Sequence, residues 1–185
     1  MSSHPVSGPT DPHPEDFRRE LSHRRELSHM DASGRARMVD TGDREPTRRE
    51  ATAQARVRMS EALLERIRSG TVPKGDLPAV ARLAGILAAK RTDELIPLCH
   101  TLPMDSVEVE LELEDGGVLI TTRAATTART GVEMEALVAA SVAALAVIDM
   151  GKAVDPHMQV DELRVTGKRG GRSGDWGTLA PEEGS

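Results

Sequence analysis

Aromatic side chains are almost missing from this sequence: among 185 residues there is one Trp (Trp176), one Phe (Phe17) and no Tyr. A core without rings must be filled by Ala, Val, Leu, Ile and Met. Such small side chains let backbones approach closely, which suits tight helix packing and broad subunit contacts. Base stacking is hard to supply without aromatics, and a formal net charge of -6 argues against general nucleic-acid binding. A single cysteine, Cys99, excludes an internal disulfide and fits a reducing compartment. No apolar run after Met1 resembles a signal peptide, and no uninterrupted stretch supplies the roughly 18 apolar residues that span a bilayer. These absences predict a soluble, cytoplasmic protein with no membrane and no nucleic-acid partner. The length suits one ordinary domain with a tail.

Residues 1–37 read as a disordered polar tail, rich in His, Arg, Glu, Ser and Pro and without apolar period. His4, His13, His23 and His29 lie there at irregular spacing, which suits a solvated tail better than a metal site. RRELSH occurs twice in succession, a low-complexity duplication too short to build a repeat fold. From Met38 to Trp176 the pattern is that of one domain, with 177–185 as a flexible C-terminal tail. Ala53, Ala55, Val57 and Met59 alternate with polar residues and predict a strand. Ser60 is placed to cap a short helix through Leu63, Leu64 and Ile67 that Gly70 ends. Asp76 caps a second helix, with Pro78 in its first turn, running to about Arg91. Pro97 and Pro103 bracket a loop, IPLCHTLP. Val107 to Leu113 and Val118 to Thr127 are strands around the turn Asp115-Gly116-Gly117. Thr130 and Glu133 have capping-box spacing before a long helix that reaches Met150, with Gly151 as its terminator, and Val160 to Thr166 is the last strand. Setting the short helix aside, the order is βαββαβ. This predicts an α+β, ferredoxin-like antiparallel sheet with its helices packed on one face.

The long helix departs from a plain amphipathic pattern. Between Glu135 and Asp149 no residue is charged, so the helix has no wet stripe and is expected to be covered on several sides, by neighbouring subunits as well as by its own sheet. Asp149 then stands at the unfavourable, negative end of the helix dipole. Burial there would raise its pKa, and Lys152, three residues on, can pair with it as an acid/base couple. Glu135 and Asp149 fall within roughly 40° of one face, but about 21 Å apart along the axis, so either a site using both is assembled from two subunits or there are two sites. Cys99 and His100 are adjacent and point to opposite sides of an extended chain. Cysteine catalysis is therefore disfavoured, and His100 reads as a substrate contact. Basic islands on an acidic chain (Arg48 and Arg49; Lys74, Lys90 and Arg91; Lys168, Arg169 and Arg172) suggest an anion site. The stretch GKRGGRSG combines backbone N–H groups with charge but lacks the P-loop pattern; its composition alone reads as a flexible basic tail.

Together, MVD at 38–40, PTRREA, VPKGD, ARLAGILAAKRT, ELIPLCH, TARTGVEMEAL, ASVAALAVIDMGKAV and KRGGRSGDW resemble the cyclic pyranopterin monophosphate synthases, the molybdenum cofactor biosynthesis protein C family. The resemblance implies a lyase that converts (8S)-3',8-cyclo-7,8-dihydroguanosine 5'-triphosphate (3',8-cyclo-7,8-dihydro-GTP) to cyclic pyranopterin monophosphate and pyrophosphate. It implies a homohexamer, a trimer of dimers, with the active site at the dimer interface. It further implies Asp149 and Lys152 as catalytic residues, joined by Lys74, His100 and Glu135. Leu98, Cys99, His100, Glu133 and Met134 are implied to bind substrate, with Arg49, Lys90, Lys168 and Arg172 facing phosphate or purine. Neither a cofactor nor a protein-bound metal is expected, although Mg²⁺ can accompany the triphosphate. The chain departs from the family at Thr101, where Pro is usual, at Gly151, where Cys is usual, and at Ile148, where an aromatic is common.

Overall fold

Four long strands follow the predicted alternation. The computed structural model describes residues 35–172, 174–177 and 179. The chain divides into two units, 1–39 and 40–185; of the first only 35–39 are described, and the tail read over 1–37 lies almost wholly outside the described residues. The second unit contains β1 (Thr47–Arg58), α1 (Glu61–Arg68), α2 (Leu77–Ala89), a single-turn α3 (Thr92–Leu95), β2 (Ser106–Glu114), β3 (Gly117–Ala128), α4 (Glu133–Gly151), β4 (Gln159–Arg169) and a two-residue β5 (Trp176–Gly177). The sheet order is β2-β3-β1-β4-β5, every paired neighbour antiparallel. Its first four strands have the split βαβ order that the sequence predicts.

Ala51, Ala53, Ala55 and Val57 of β1 point to one face and are fully buried, with Val118, Ile120 and Ala124 of β3 beside them. Onto this face packs α4, through Ala136, Ala139, Ala140, Ala143, Ala144 and Val147. Each small side chain contributes little burial alone, about 0.8 kcal/mol per CH₂. Their compensation is proximity: Thr122 Oγ1 of β3 donates directly to the Ala136 carbonyl of α4 at 2.7 Å. The α2 helix uses the same device. A Cβ on Gly85 would stand 2.9 Å from the Ala139 carbonyl oxygen, so glycine sets the distance between α2 and α4. The opposite sheet face is an ionic ladder in which Arg56 binds Glu114 at 2.7 Å and Glu162 at 2.7 Å, and Arg58 pairs with Asp161.

Turn chemistry explains the joints. Gly70 ends α1 at φ +67, its N–H reaching the Ile67 carbonyl while the Thr71 N–H reaches that of Arg66. The β2–β3 hairpin turns on Asp115-Gly116, with Gly116 at φ +80. Asp76 caps α2, accepting the Ala79 N–H at 3.0 Å. The helix stops at Ala89 rather than Arg91: Lys90 is its C-cap, and the last turn tightens as the Arg91 N–H donates to the Ala88 carbonyl at 3.0 Å.

Two local expectations fail, and a third, Gly151 at the end of α4, holds by another means. The Ser60 side chain makes no capping bond; its backbone N–H donates instead to Asp155 Oδ2 at 2.6 Å. No capping box opens α4: Val132 is its N-cap residue, and Glu133 is engaged by Lys168 of β4, an ionic partner stronger than a neutral cap. Gly151 does not stop α4 by a left-handed turn. It is the last helical residue, and its missing Cβ leaves room for Leu63 of α1, which a Cβ would meet at 2.6 Å. By length and composition alone α4 could cross a bilayer, although over half of it is buried inside this unit.

Candidate functional site

Two clusters of chemically capable side chains lie at opposite ends of α4. At the C-terminal end, Asp149 stands between two lysines. Lys74, in the turn before α2, donates from Nζ to Asp149 Oδ2 at 2.8 Å and to the Asp149 carbonyl oxygen at 2.7 Å. Lys152 Nζ reaches Asp149 Oδ1 at 2.7 Å. The turn that carries Lys74 is placed by Asp76, which fixes the start of α2, and by Gly85, which holds α2 against α4. On the single protomer the Asp149 side chain is not buried: it is 57% exposed. The rise in pKa that burial would bring is absent. Hydrogen bonds from Lys152 first and Lys74 second hold the carboxyl down at about 2. Two cations outweigh the unfavourable helix dipole.

At the N-terminal end of α4, Glu135 is buried, 3% exposed. Desolvation pushes its pKa up to about 7, opposed by its own backbone N–H and reinforced by Glu133 and Asp93. Glu133 Oε1 accepts from Lys168 Nζ at 2.9 Å. Lys168 therefore belongs to β4, paired with Ala51 of β1, and not to a flexible tail; Trp176 of β5 pairs with it on the other side. Arg49 lies on β1 against the glycine turn that follows β4: a Cβ on Gly171 would be 2.2 Å from its Nη1. Arg172 is exposed on that turn, and Met134 sits half-buried between Glu133 and Glu135.

The loop from Leu98 to His100 is half-buried, its turn closed by the Cys99 N–H on the Ile96 carbonyl at 3.0 Å. Burial raises the Cys99 thiol pKa, with Glu135 and Asp93 adding to it. A thiol held protonated is a poor nucleophile, in keeping with the sequence reading. Thr101 Oγ1 donates to Asp93 and ties the loop to α3. Lys90 is exposed at the C-cap of α2. Since α2 runs antiparallel to α4, Lys90 lies toward the Glu135 end.

The structure thus brings Lys74, Asp149 and Lys152 together, and it separately gathers Glu133, Glu135, Lys168 and Cys99. Along α4 the two groups stand apart by about 21 Å, as its rise of about 1.5 Å per residue requires. Sequence reasoning missed Asp93, whose effect on Glu135 and Cys99 comes from α3, and Glu50 and Asp155, whose burial depends on partners far along the chain. The charged run TRREA gave no sign that Glu50 would be covered.

Comparison with known proteins bears on the chain as a whole. Residues 38–171 match a family model described as the MoaC family. A protein of Streptomyces griseus subsp. griseus named cyclic pyranopterin monophosphate synthase is 54% identical over 165 residues, 89% of this chain and 93% of that protein. Proteins of the same name from Chloroflexus aggregans and Chloroflexus aurantiacus are 56% and 54% identical over 153 residues, 82% of this chain in each case and 93% and 94% of those proteins. With nearly the whole second unit matched, and relatives covered almost end to end, the chain belongs to the MoaC family.

Proposed function

We propose that this chain is a cyclic pyranopterin monophosphate synthase, which rearranges 3',8-cyclo-7,8-dihydro-GTP to cyclic pyranopterin monophosphate and releases pyrophosphate for molybdenum cofactor biosynthesis. The observation that carries the reading is the Lys74–Asp149–Lys152 cluster, a carboxylate with a cation on each oxygen at an exposed helix end. Such a group can hand over its lysines. A phosphate oxygen that takes an N–H from Lys74 or Lys152 releases Asp149 from that partner and raises its basicity where a proton must be moved. The freed lysine stabilises charge on the innermost phosphorus while a ribose hydroxyl displaces pyrophosphate. Arg49, Lys90, Lys168 and Arg172 supply further positive charge for the triphosphate and purine. Glu135, with its pKa near 7, is suited to exchange protons at neutral pH, with His100 orienting substrate beside it.

The two clusters would serve one substrate across a subunit interface. Supporting this, α2 and α4 present Val80, Leu83, Leu87 and Leu145 outward, Leu83 at 61% and Leu145 at 59% exposure, an apolar face that a second copy would cover. The assembly is a homohexamer, three dimers each pairing the Asp149 end of one protomer with the Glu135 end of its partner. No redox cofactor enters this chemistry, and the triphosphate can carry Mg²⁺.

The test is incubation of the purified protein with 3',8-cyclo-7,8-dihydro-GTP and assay for pyrophosphate. Release matching the pterin product is expected. A folded oligomer that releases none contradicts the assignment.

A further inference from the structure

One buried carboxylate has no part in the chemistry above. Glu50 is 2% exposed, on the opposite side of β1 from Ala51 and Ala53. Arg123 Nε of β3 approaches its Oε1 at 2.6 Å and Arg169 Nη1 of β4 its Oε2 at 3.9 Å. Among the described residues neither Glu50 oxygen receives an aligned hydrogen bond, so charge is what the arginines supply. Arg169 Nε continues to Asp175 Oδ2 at 4.0 Å, and Asp175 Oδ1 accepts the Gly170 N–H at 2.7 Å. Gly170 and Gly171 are both left-handed, at φ +84 and +91. They lie so close to β1 that a Cβ would come within 2.6 Å of the Arg48 carbonyl oxygen or 2.2 Å of Arg49 Nη1. An ionic chain therefore runs from the centre of the sheet to the turn that bears Arg172 and supports Arg49.

Stability is a weak reason for keeping such a network. Replacing a buried ion pair by packed apolar side chains is often neutral or favourable, so the cost of burying Glu50 points to placement. We propose that Glu50 is a positioning residue: through Arg169 and Asp175 it sets the Gly170-Gly171 turn so that Arg49 and Arg172 meet the substrate triphosphate together. This rests on the reading of those arginines as phosphate contacts. The open backbone of two glycines gives the turn freedom, and a fixed charge at its root removes it.

The test is a double-variant cycle on the intact oligomer, reading KM and kcat of pyrophosphate release beside the melting temperature. Glu50→Gln keeps the shape and removes the charge. It is expected to raise KM about tenfold, the weight of one charge-assisted contact, with kcat within about twofold. Combined with Arg172→Ala it should add almost nothing to KM, whereas combined with Lys74→Met, at the other cluster, the effects should multiply. Asp175→Asn breaks the same chain at an exposed residue, so folding is not at stake, and the same coupling to Arg172 is expected. If Arg172→Ala raises KM but Asp175→Asn leaves it unchanged, or multiplies with it in full, the positioning role is overturned. A wild type without pyrophosphate release, or an Arg172→Ala variant of unchanged KM, overturns the phosphate reading and this inference with it.

Discussion

Glu135 makes stability depend on pH in a direction that can be worked out. Its carboxyl is buried and its pKa raised from 4.5 to about 7. The folded chain then holds the proton more tightly than the unfolded chain does. Below about pH 4.5 both states are protonated and there is no penalty. Between pH 4.5 and 7 the unfolded chain gives up its proton first, so stability falls as pH rises, and above 7 the loss is complete. The difference, 7 less 4.5, corresponds to about 3 kcal/mol at about 1.36 kcal/mol per pKa unit. Glu135→Gln removes the titration while keeping the volume. At pH 5 the variant should melt close to wild type; at pH 8 it should melt higher by about 6–12 °C, from about 2–4 °C per kcal/mol for a chain of this size. Melting curves of both proteins at pH 5, 6, 7 and 8, at one protomer concentration, read the difference and cancel other titrations. Parallel curves across that range refute the claim that desolvation governs this carboxyl.

Gly85→Ala gains about 1 kcal/mol of helix propensity but forces a Cβ to 2.9 Å from the Ala139 carbonyl, an overpacking cost of about 1–3 kcal/mol. Chemical denaturation should therefore show no gain or a net loss, and a clear rise in midpoint would mean that α2 and α4 are not in close contact. Asp76→Ala removes the α2 cap and should cost about 1 kcal/mol in the same assay; because that cap also places the turn before α2, the turnover of folded protein should fall too. Light scattering at micromolar concentration should give a dimer or a multiple of it, and a clean monomer would contradict a site shared between protomers.

The elements were legible where a residue's environment depends on near neighbours. Ala53, Ala55 and Val57 alternating with Gln54, Arg56 and Arg58 mark β1, and Asp115-Gly116 marks the hairpin. The uncharged run of α4 announced a helix covered on several sides. Long-range pairing was hidden. Glu133 has capping-box spacing from Thr130, yet Lys168, 35 residues away, takes its carboxylate. Asp155 reaches back 95 residues to the Ser60 N–H. The Gly-rich composition around Lys168 concealed the continuation of β4 beyond Thr166, because that end is held by register with β1 and by Thr166–Thr52 contact, not by its own propensity. Asp149 stands out in the sequence at the end of an uncharged helix, but the structure leaves that end open on the protomer, and Lys152, joined by Lys74 from 75 residues earlier, holds its charge.

The central claim is that Asp149, between Lys74 and Lys152, moves a proton in the reaction, and Asp149→Asn tests it most directly. The amide keeps the side-chain shape and loses the charge and the ability to accept a proton. Because the carboxylate is exposed on the protomer and faces an open site, its ion pairs contribute little to stability, and the melting temperature and oligomeric state should barely change. Turnover per folded oligomer should fall by roughly 10²–10⁴. Near-normal turnover in a folded variant would contradict the account. An early-melting or dissociating variant whose remaining oligomer keeps its rate would contradict it as well, assigning Asp149 to the architecture of the helix end and not to the chemistry.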